Sequence, residues 1–230
     1  MFSDPTALLI RAVYLLPAGV LSIVVHEMAH AYAAVARGDT SPRARGRLSP
    51  DPRRHIEPLG LVMVLLAGVG FGRPVQLNNS RPMTTASRVI IALAGPVANL
   101  VLAVVVSMPL RVITANLGSA QYYHFLPCTL GLSPQDLLVG ELFYIYKLNL
   151  LLMVFNLLPI PGLDGWDLLS LWLRRANPRL LFQVETNRQG FVIVLIFIFL
   201  LFPQILGTVL GVIAAPLAGI LGIQVPIICG

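Results

Sequence analysis

Six apolar runs, at roughly residues 8–22, 59–71, 89–110, 148–160, 191–202 and 205–223, occupy most of this 230-residue chain. Too little lies between them to close a water-soluble core of any size. A helix in hydrocarbon satisfies its own backbone, so runs of this kind build a bundle of membrane helices. Composition agrees: 57% of the residues are hydrophobic, 11% are charged and the mean hydropathy is +0.82, whereas soluble domains carry about 25% charged residues. The expected fold is an all-α polytopic bundle of about five to six membrane segments in one integral-membrane domain, residues 1–230. Its functional core covers about 7–170, followed by a helical hairpin at about 190–223. The start, Met1-Phe2-Ser3-Asp4-Pro5, has no basic region ahead of the first apolar run, so the first helix is expected to be retained rather than cleaved.

The arginines give the orientation. Fifteen Arg and one Lys produce a net charge of +6, which in a membrane chain reads as cytoplasmic loops rather than as a nucleic-acid surface. Nine of the arginines fall between Arg37 and Arg88, around the apolar run 59–71. That run has about 13 residues and three glycines, short of the roughly 17–25 needed to cross a bilayer. It is therefore expected to be a short re-entrant or β-hairpin element between the first and second full crossings, with both flanks in the cytoplasm. The first helix then enters from outside, 84–110 leaves, about 141–161 returns, and 190–223 turns at Pro203. Phe143, Tyr144 and Tyr146 are expected at the outer interface, and Trp166 and Trp172 at the inner one. Cys128 and Cys229 would lie on opposite sides, and two cysteines can build neither a disulfide framework nor a thiolate metal site.

Inside the first apolar helix stands His26-Glu27-Met28-Ala29-His30. Positions i and i+4 share a helix face, so His26 and His30 can present two imidazole nitrogens to one ion, with Glu27 beside them as a general base. Ionisable groups in a spanning helix cost of order 2.5–3.5 kcal/mol each at its centre, and a divalent cation offsets that cost. Gly19, Ser22 and Ala33 on the same face let a second helix come close. With Arg37 at the cytoplasmic interface, the histidines lie about 10–16 Å inward at 1.5 Å per residue.

Catalytic zinc usually takes three protein ligands. The remaining candidates are Asp164, Asp167, Glu57, His55, His124, Glu141, Asp136 and Glu185. Asp164 stands out, because it follows a helix broken by Pro159 and Pro161 at the cytoplasmic end of the third crossing, at a depth comparable with the histidines.

His26-Glu27-x-x-His30 and Asn156-x-x-Pro159-x-Pro161-x-x-Asp164-Gly165 resemble the two signatures of the site-2 protease family. Ala94-Gly95-Pro96-Val97-Ala98-Asn99 is similar to its Ala-Gly-Pro helix, and Phe71-Gly72-Arg73-Pro74-Val75 with Asn78 to a shortened form of the preceding loop. The resemblance covers about residues 20–170. It implies that His26, His30 and Asp164 bind one Zn2+ per chain, that Glu27 is the general base, and that Asn156 positions water or the scissile peptide. Two positions depart from the family pattern: His55-Ile56-Glu57-Pro58 stands where His-x-Asp-Pro is frequent, and Gly162 where a second Pro is. The peptide-binding and nucleotide-sensing domains of some relatives are absent from this sequence.

The expected activity is that of an intramembrane zinc endopeptidase acting on single-pass membrane proteins, in or near their transmembrane segments. Its place is the cell membrane, multi-pass, with the site towards the cytoplasm. The lipid bilayer is a partner and nucleic acid is not, and substrate choice rests on the membrane domain, on a regulatory membrane partner or on a second copy of the chain. Arg73–Ser80 could offer an edge to an extended substrate. The alternative is a metal-binding transporter or sensor, in which Glu27 has no task.

Overall fold

The computed structural model describes residues 5–67, 70–78, 83–115, 133–201 and 203–221. The helices among these residues are α1 (Pro5–Ala36), α2 (Ser41–Ala44), α3 (Pro58–Ala67), α4 (Thr85–Ala115), α5 (Pro134–Asn156), α6 (Asp164–Ala176), α7 (Pro178–Thr186), α8 (Arg188–Leu201) and α9 (Pro203–Ile220), with a 3-10 turn at Pro52–Arg54. No strand forms among the described residues. One isolated antiparallel bridge joins Ile56 to Gly72, and the stretch from 73 to 78 has no ladder partner.

The six apolar runs fall on α1, α3, α4, α5, α8 and α9, in that order. Among the described residues, three stretches are long and apolar enough to cross a membrane: Ala12–Ala36, Thr85–Ile113 and Leu137–Asn156. Pro178–Thr186 with Arg188–Ile198 passes only as a pair bent by 63°. The protein is thus a helical membrane protein whose described residues hold three candidate crossings, or four with the bent pair. The other expected segments are shorter apolar helices. At 10 residues, α3 is about 15 Å long, half the thickness of the hydrocarbon core.

α1, α4 and α5 pack against one another and carry the core. Polar pairs join them inside the apolar zone: Asn149 donates to Ser22 Oγ at 2.8 Å, and Ser22 donates to the Ala18 carbonyl at 2.6 Å. Gly19 meets α3, since a Cβ there would come within 2.8 Å of Val64. The expected close approach on this face of α1 is therefore made by α3 at Gly19 and by α5 at Ser22.

Several aromatics sit elsewhere than expected. Phe143, Tyr144 and Tyr146 are buried, and Tyr144 stacks on Tyr14 with ring centroids 5.7 Å apart. Tyr144 fills the seam between α1 and α5, and all three belong to the buried core rather than to its surface, because aromatic area gains more from a packed partner than from a half-wet surface. Trp166 is likewise buried, its indole N–H donating to Glu185 at 2.7 Å, whereas Trp172 is exposed. Cys128, Cys229 and His124 lie outside the described residues.

Candidate metal centre

α5 stops at Asn156, and the missing N–H groups of Pro159 and Pro161 prevent the helix from continuing. The chain turns back through Gly162, whose φ of +106° lies in a region closed to proline. This explains the departure at that position: the turn requires a residue without Cβ. Gly165 then packs so tightly on the turn that follows α5 that a Cβ would fall 2.3 Å from the Leu157 carbonyl oxygen. This seat places Asp164, in the first turn of α6, opposite the histidines of α1.

The three predicted ligands converge. Asp164 Oδ2 lies 3.2 Å from His26 Nε2, Asp164 Oδ1 lies 3.3 Å from His30 Nε2, and the two Nε2 atoms are 3.1 Å apart. Among the described residues this is the one cluster of three or more His, Cys, Asp or Glu with metal-ligand spacing. The other ring nitrogens fix the chemistry. His26 Nδ1 faces Asn99 Oδ1 at 2.9 Å and His30 Nδ1 faces the Ile91 carbonyl at 2.7 Å. Both oxygens only accept, so both Nδ1 atoms carry a proton, which leaves Nε2 as the atom that can turn a lone pair to a metal at the centre. Two lone pairs and a carboxylate cannot satisfy one another. Asp164 Oδ2 has no hydrogen-bond partner although it is buried. This donor set fits zinc, which takes imidazole nitrogen and carboxylate oxygen and leaves a position open in catalytic sites.

Glu27 is buried beside the trio, with Oε2 lacking a hydrogen bond. The nearest cation is Arg47, 3.8 Å from that oxygen, and both side chains are about 8% exposed. The Arg47 guanidinium also donates to the carbonyls of Arg54 and Arg73. Gly72 abuts the carboxylate, since a Cβ there would stand 2.6 Å from Glu27 Oε1.

A cavity of about 770 Å3 opens onto the site, with His26, Glu27, His30, Asn156 and Asp164 in its wall. Asn156 donates its amide to the Leu152 carbonyl at 2.9 Å. Of the other third-ligand candidates, Asp167 and Glu185 line the same cavity without joining the trio. Burial raises the Asp167 carboxyl above its ordinary range, against the pull of Arg188. Glu57 pairs with Arg73 at 3.6 Å and also reaches the cavity.

His55 is fully buried and donates from Nε2 to the Ser49 carbonyl at 2.7 Å. Its backbone carbonyl accepts from Arg73 N–H at 2.6 Å. Burial lowers its pKa, as do Arg47 and Arg54, so it sits neutral and braces the loops between α2 and α4. Asp39 ties the same loops together, accepting from Ser41 and from the Asn78 N–H at 2.8 Å. Burial works to raise its pKa, but those donors outweigh it and hold the carboxyl below its ordinary value.

Sequence reasoning left three residues without a role at the site. Asn99 was visible only as part of the Ala94–Asn99 motif, and Gly72 only as part of the Phe71–Val75 motif. Arg47 was one of nine arginines read for orientation, with no local signal to separate it from the rest.

Comparison with known proteins agrees with the geometry. "Putative zinc metalloprotease YwhC" of Bacillus subtilis (strain 168) is 35% identical over 161 residues, 68% of each chain. "Putative zinc metalloprotease Rip2" of Mycobacterium tuberculosis (strain H37Rv) is 33% identical over 198 residues, 84% of this chain and 68% of that one. Its namesake in Mycolicibacterium smegmatis is 31% identical over 182 residues, 76% of this chain and 62% of the relative. No protein-family model matches the chain, and no solved structure matches it significantly. Identity at this level over two thirds or more of both the Bacillus and the tuberculosis proteins carries the assignment: the chain belongs to the site-2 protease family of zinc metalloproteases.

Proposed function

We propose that this protein is an intramembrane zinc endopeptidase that hydrolyses peptide bonds in or near the transmembrane segments of single-pass membrane proteins. Its whole length acts as one membrane domain in the cell membrane, with the site open to the cytoplasm. The observation that carries this reading is the division of labour on α1. His26 and His30 converge with Asp164, while Glu27 stays outside that trio with Oε2 unsatisfied and facing the same cavity. A carrier or sensor of metal would have no use for such a carboxylate.

His26, His30 and Asp164 would hold one zinc ion, which when bound supplies Lewis acidity to a carbonyl and acidifies water. Glu27 takes the proton of the attacking water and returns it to the leaving amine nitrogen. Asn156, at the end of α5, positions water or the scissile peptide from the cavity wall. His26, Glu27 and His30 are themselves buried, so polar contacts made to the charges that develop beside them are stronger than in water. The nine arginines from Arg37 to Arg88 support a mouth on the cytoplasmic side. Substrate selection falls to the membrane domain, a regulatory membrane partner or a second copy of the chain.

Exchange of Glu27 for Gln separates the readings. Purified Glu27→Gln protein should retain its zinc, and single-pass membrane proteins should accumulate in cells that carry it. Zinc flux surviving the exchange, with no membrane protein accumulating, would instead favour a transporter.

A further inference from the structure

We infer that α4, which contributes no ligand, decides whether the His26–His30–Asp164 trio can hold a metal: Gly95 keeps the ion's place open and Asn99, one turn on, sets His26 as a ligand. This inference rests on reading the trio as a zinc site.

The first observation concerns space. A Cβ added to Gly95 would stand 2.3 Å from His30 Nε2, 2.7 Å from His26 Nε2 and 2.5 Å from His26 Cε1. Both nitrogens therefore look into the gap left by the missing side chain. Zinc–imidazole bonds are about 2.0–2.1 Å long, so a methyl group there would sit where both Nε2 lone pairs point. Inside a long helix, glycine is a poor choice for the backbone. Its presence between Ala94 and Pro96 in α4 follows from this close approach to α1.

The second observation concerns protons. Asn99 is fully buried, and its Oδ1 is the sole acceptor for His26 Nδ1. Its own Nδ2 has no partner. The amide is thus half-used: what the site retains is the acceptor, at the cost of a stranded donor. For His30 the same task falls to a backbone carbonyl, that of Ile91 on the same helix, which no side-chain exchange can remove. Without an acceptor at 99, His26 loses the bond that keeps its proton on Nδ1 and can shift it to Nε2, the atom facing the trio. Outer partners of this kind typically contribute 10- to 100-fold in metal affinity. Asn99 is a positioning residue, acting on the metal through His26.

The test uses the full-length protein in detergent, titrated with Zn2+ against a competing chelator, with the melting temperature of the metal-free protein as a second readout. Asn99→Leu removes the acceptor at similar volume and should weaken zinc binding roughly 10- to 100-fold. Asn99→Asp restores an acceptor and should bind at least as tightly as wild type. Gly95→Ala should lose zinc at least as severely as Asn99→Leu, and a cooperative melt of its metal-free form shows that it is folded. If Asn99 only joined α1 to α4, Asn99→Leu would melt earlier without metal yet bind zinc as wild type does, and the inference would be wrong. Asp as weak as Leu, or full affinity in Gly95→Ala, would also overturn it. Should Asn99→Leu not fold, the Asp and Ala variants still decide. Wild-type protein without zinc affinity would instead refute the metal centre itself.

Discussion

Arg47 reaches out of the loop between α2 and α3 to within 3.8 Å of Glu27 Oε2, and both side chains are buried. The ion pair joins the expected general base to two loop carbonyls, those of Arg54 and Arg73, which Arg47 also binds. Removing one member of a buried pair strands the other charge, which typically costs about 3–5 kcal/mol. Arg47→Ala should therefore destabilise the protein strongly in chemical denaturation. Arg47→Lys should recover only part of the loss, since an ammonium cannot span both carbonyls and the carboxylate in the same fork. A change below about 0.5 kcal/mol, the range of an ordinary surface substitution, would remove Arg47 from this account.

Gly72 offers a finer probe of the same carboxylate. A methyl group at that position would fall 2.6 Å from Glu27 Oε1 and 2.9 Å from the His55 carbonyl oxygen, which is backbone and cannot step aside. Gly72→Ala should push Glu27 out of place while leaving the three ligands intact. Misplacement of a catalytic group by about 1 Å can cost roughly 100-fold in rate. Zinc content should be unchanged while membrane-protein substrates accumulate; normal turnover would show that Glu27 has room to spare.

His55 predicts a pH dependence of stability. Its folded-state pKa is lowered by burial relative to the ordinary value of about 6.5. Below about pH 6.5 the unfolded chain therefore binds more protons than the folded one. The stability that His55 contributes is complete above that pH and is lost as the pH falls through its folded value. Wild-type protein should melt earlier at about pH 5.5 than at about pH 7.5, and His55→Gln should show a smaller difference between the two. Equal pH sensitivity in both proteins would assign the effect to other groups.

The segment after Gly72 supplies a fourth test. Pro74, Val75, Gln76 and Leu77 line the cavity, while the flanking backbone is held by the loops, Arg45 binding the Gln76 carbonyl at 2.6 Å and Asp39 the Asn78 N–H. If an extended substrate pairs with this stretch, proline at Val75 or Leu77 should impair cleavage by removing a donor. Zinc content should not change. Unimpaired cleavage would leave the segment as a wall only.

Much of the site was legible in the sequence because its signals are local. His26, Glu27 and His30 lie within one helical turn or so of each other, and Pro159, Pro161 and Asp164 lie in one short turn, so spacing alone indicates which face each occupies. Asn99 and Arg47 were not legible in this way. Their partners lie 73 residues away at His26 and on α1 at Glu27, and only packing brings them together. The aromatics of α5 misled for a related reason. Tyr and Phe near a helix end suit an interface as well as a seam, and only the stack on Tyr14 separates the two. Gly162 looked like a loss relative to the family pattern, until its positive φ showed a different turn made with the same outcome.

The central claim is that Asp164 completes a zinc site with two histidines more than 130 residues away in sequence. Elemental analysis of purified full-length protein tests it most directly. Wild type and Glu27→Gln should each carry about one zinc per chain, and Asp164→Asn, which keeps the side-chain volume and removes the charge, should carry little. Full zinc in Asp164→Asn, or none in folded wild type, would contradict the account.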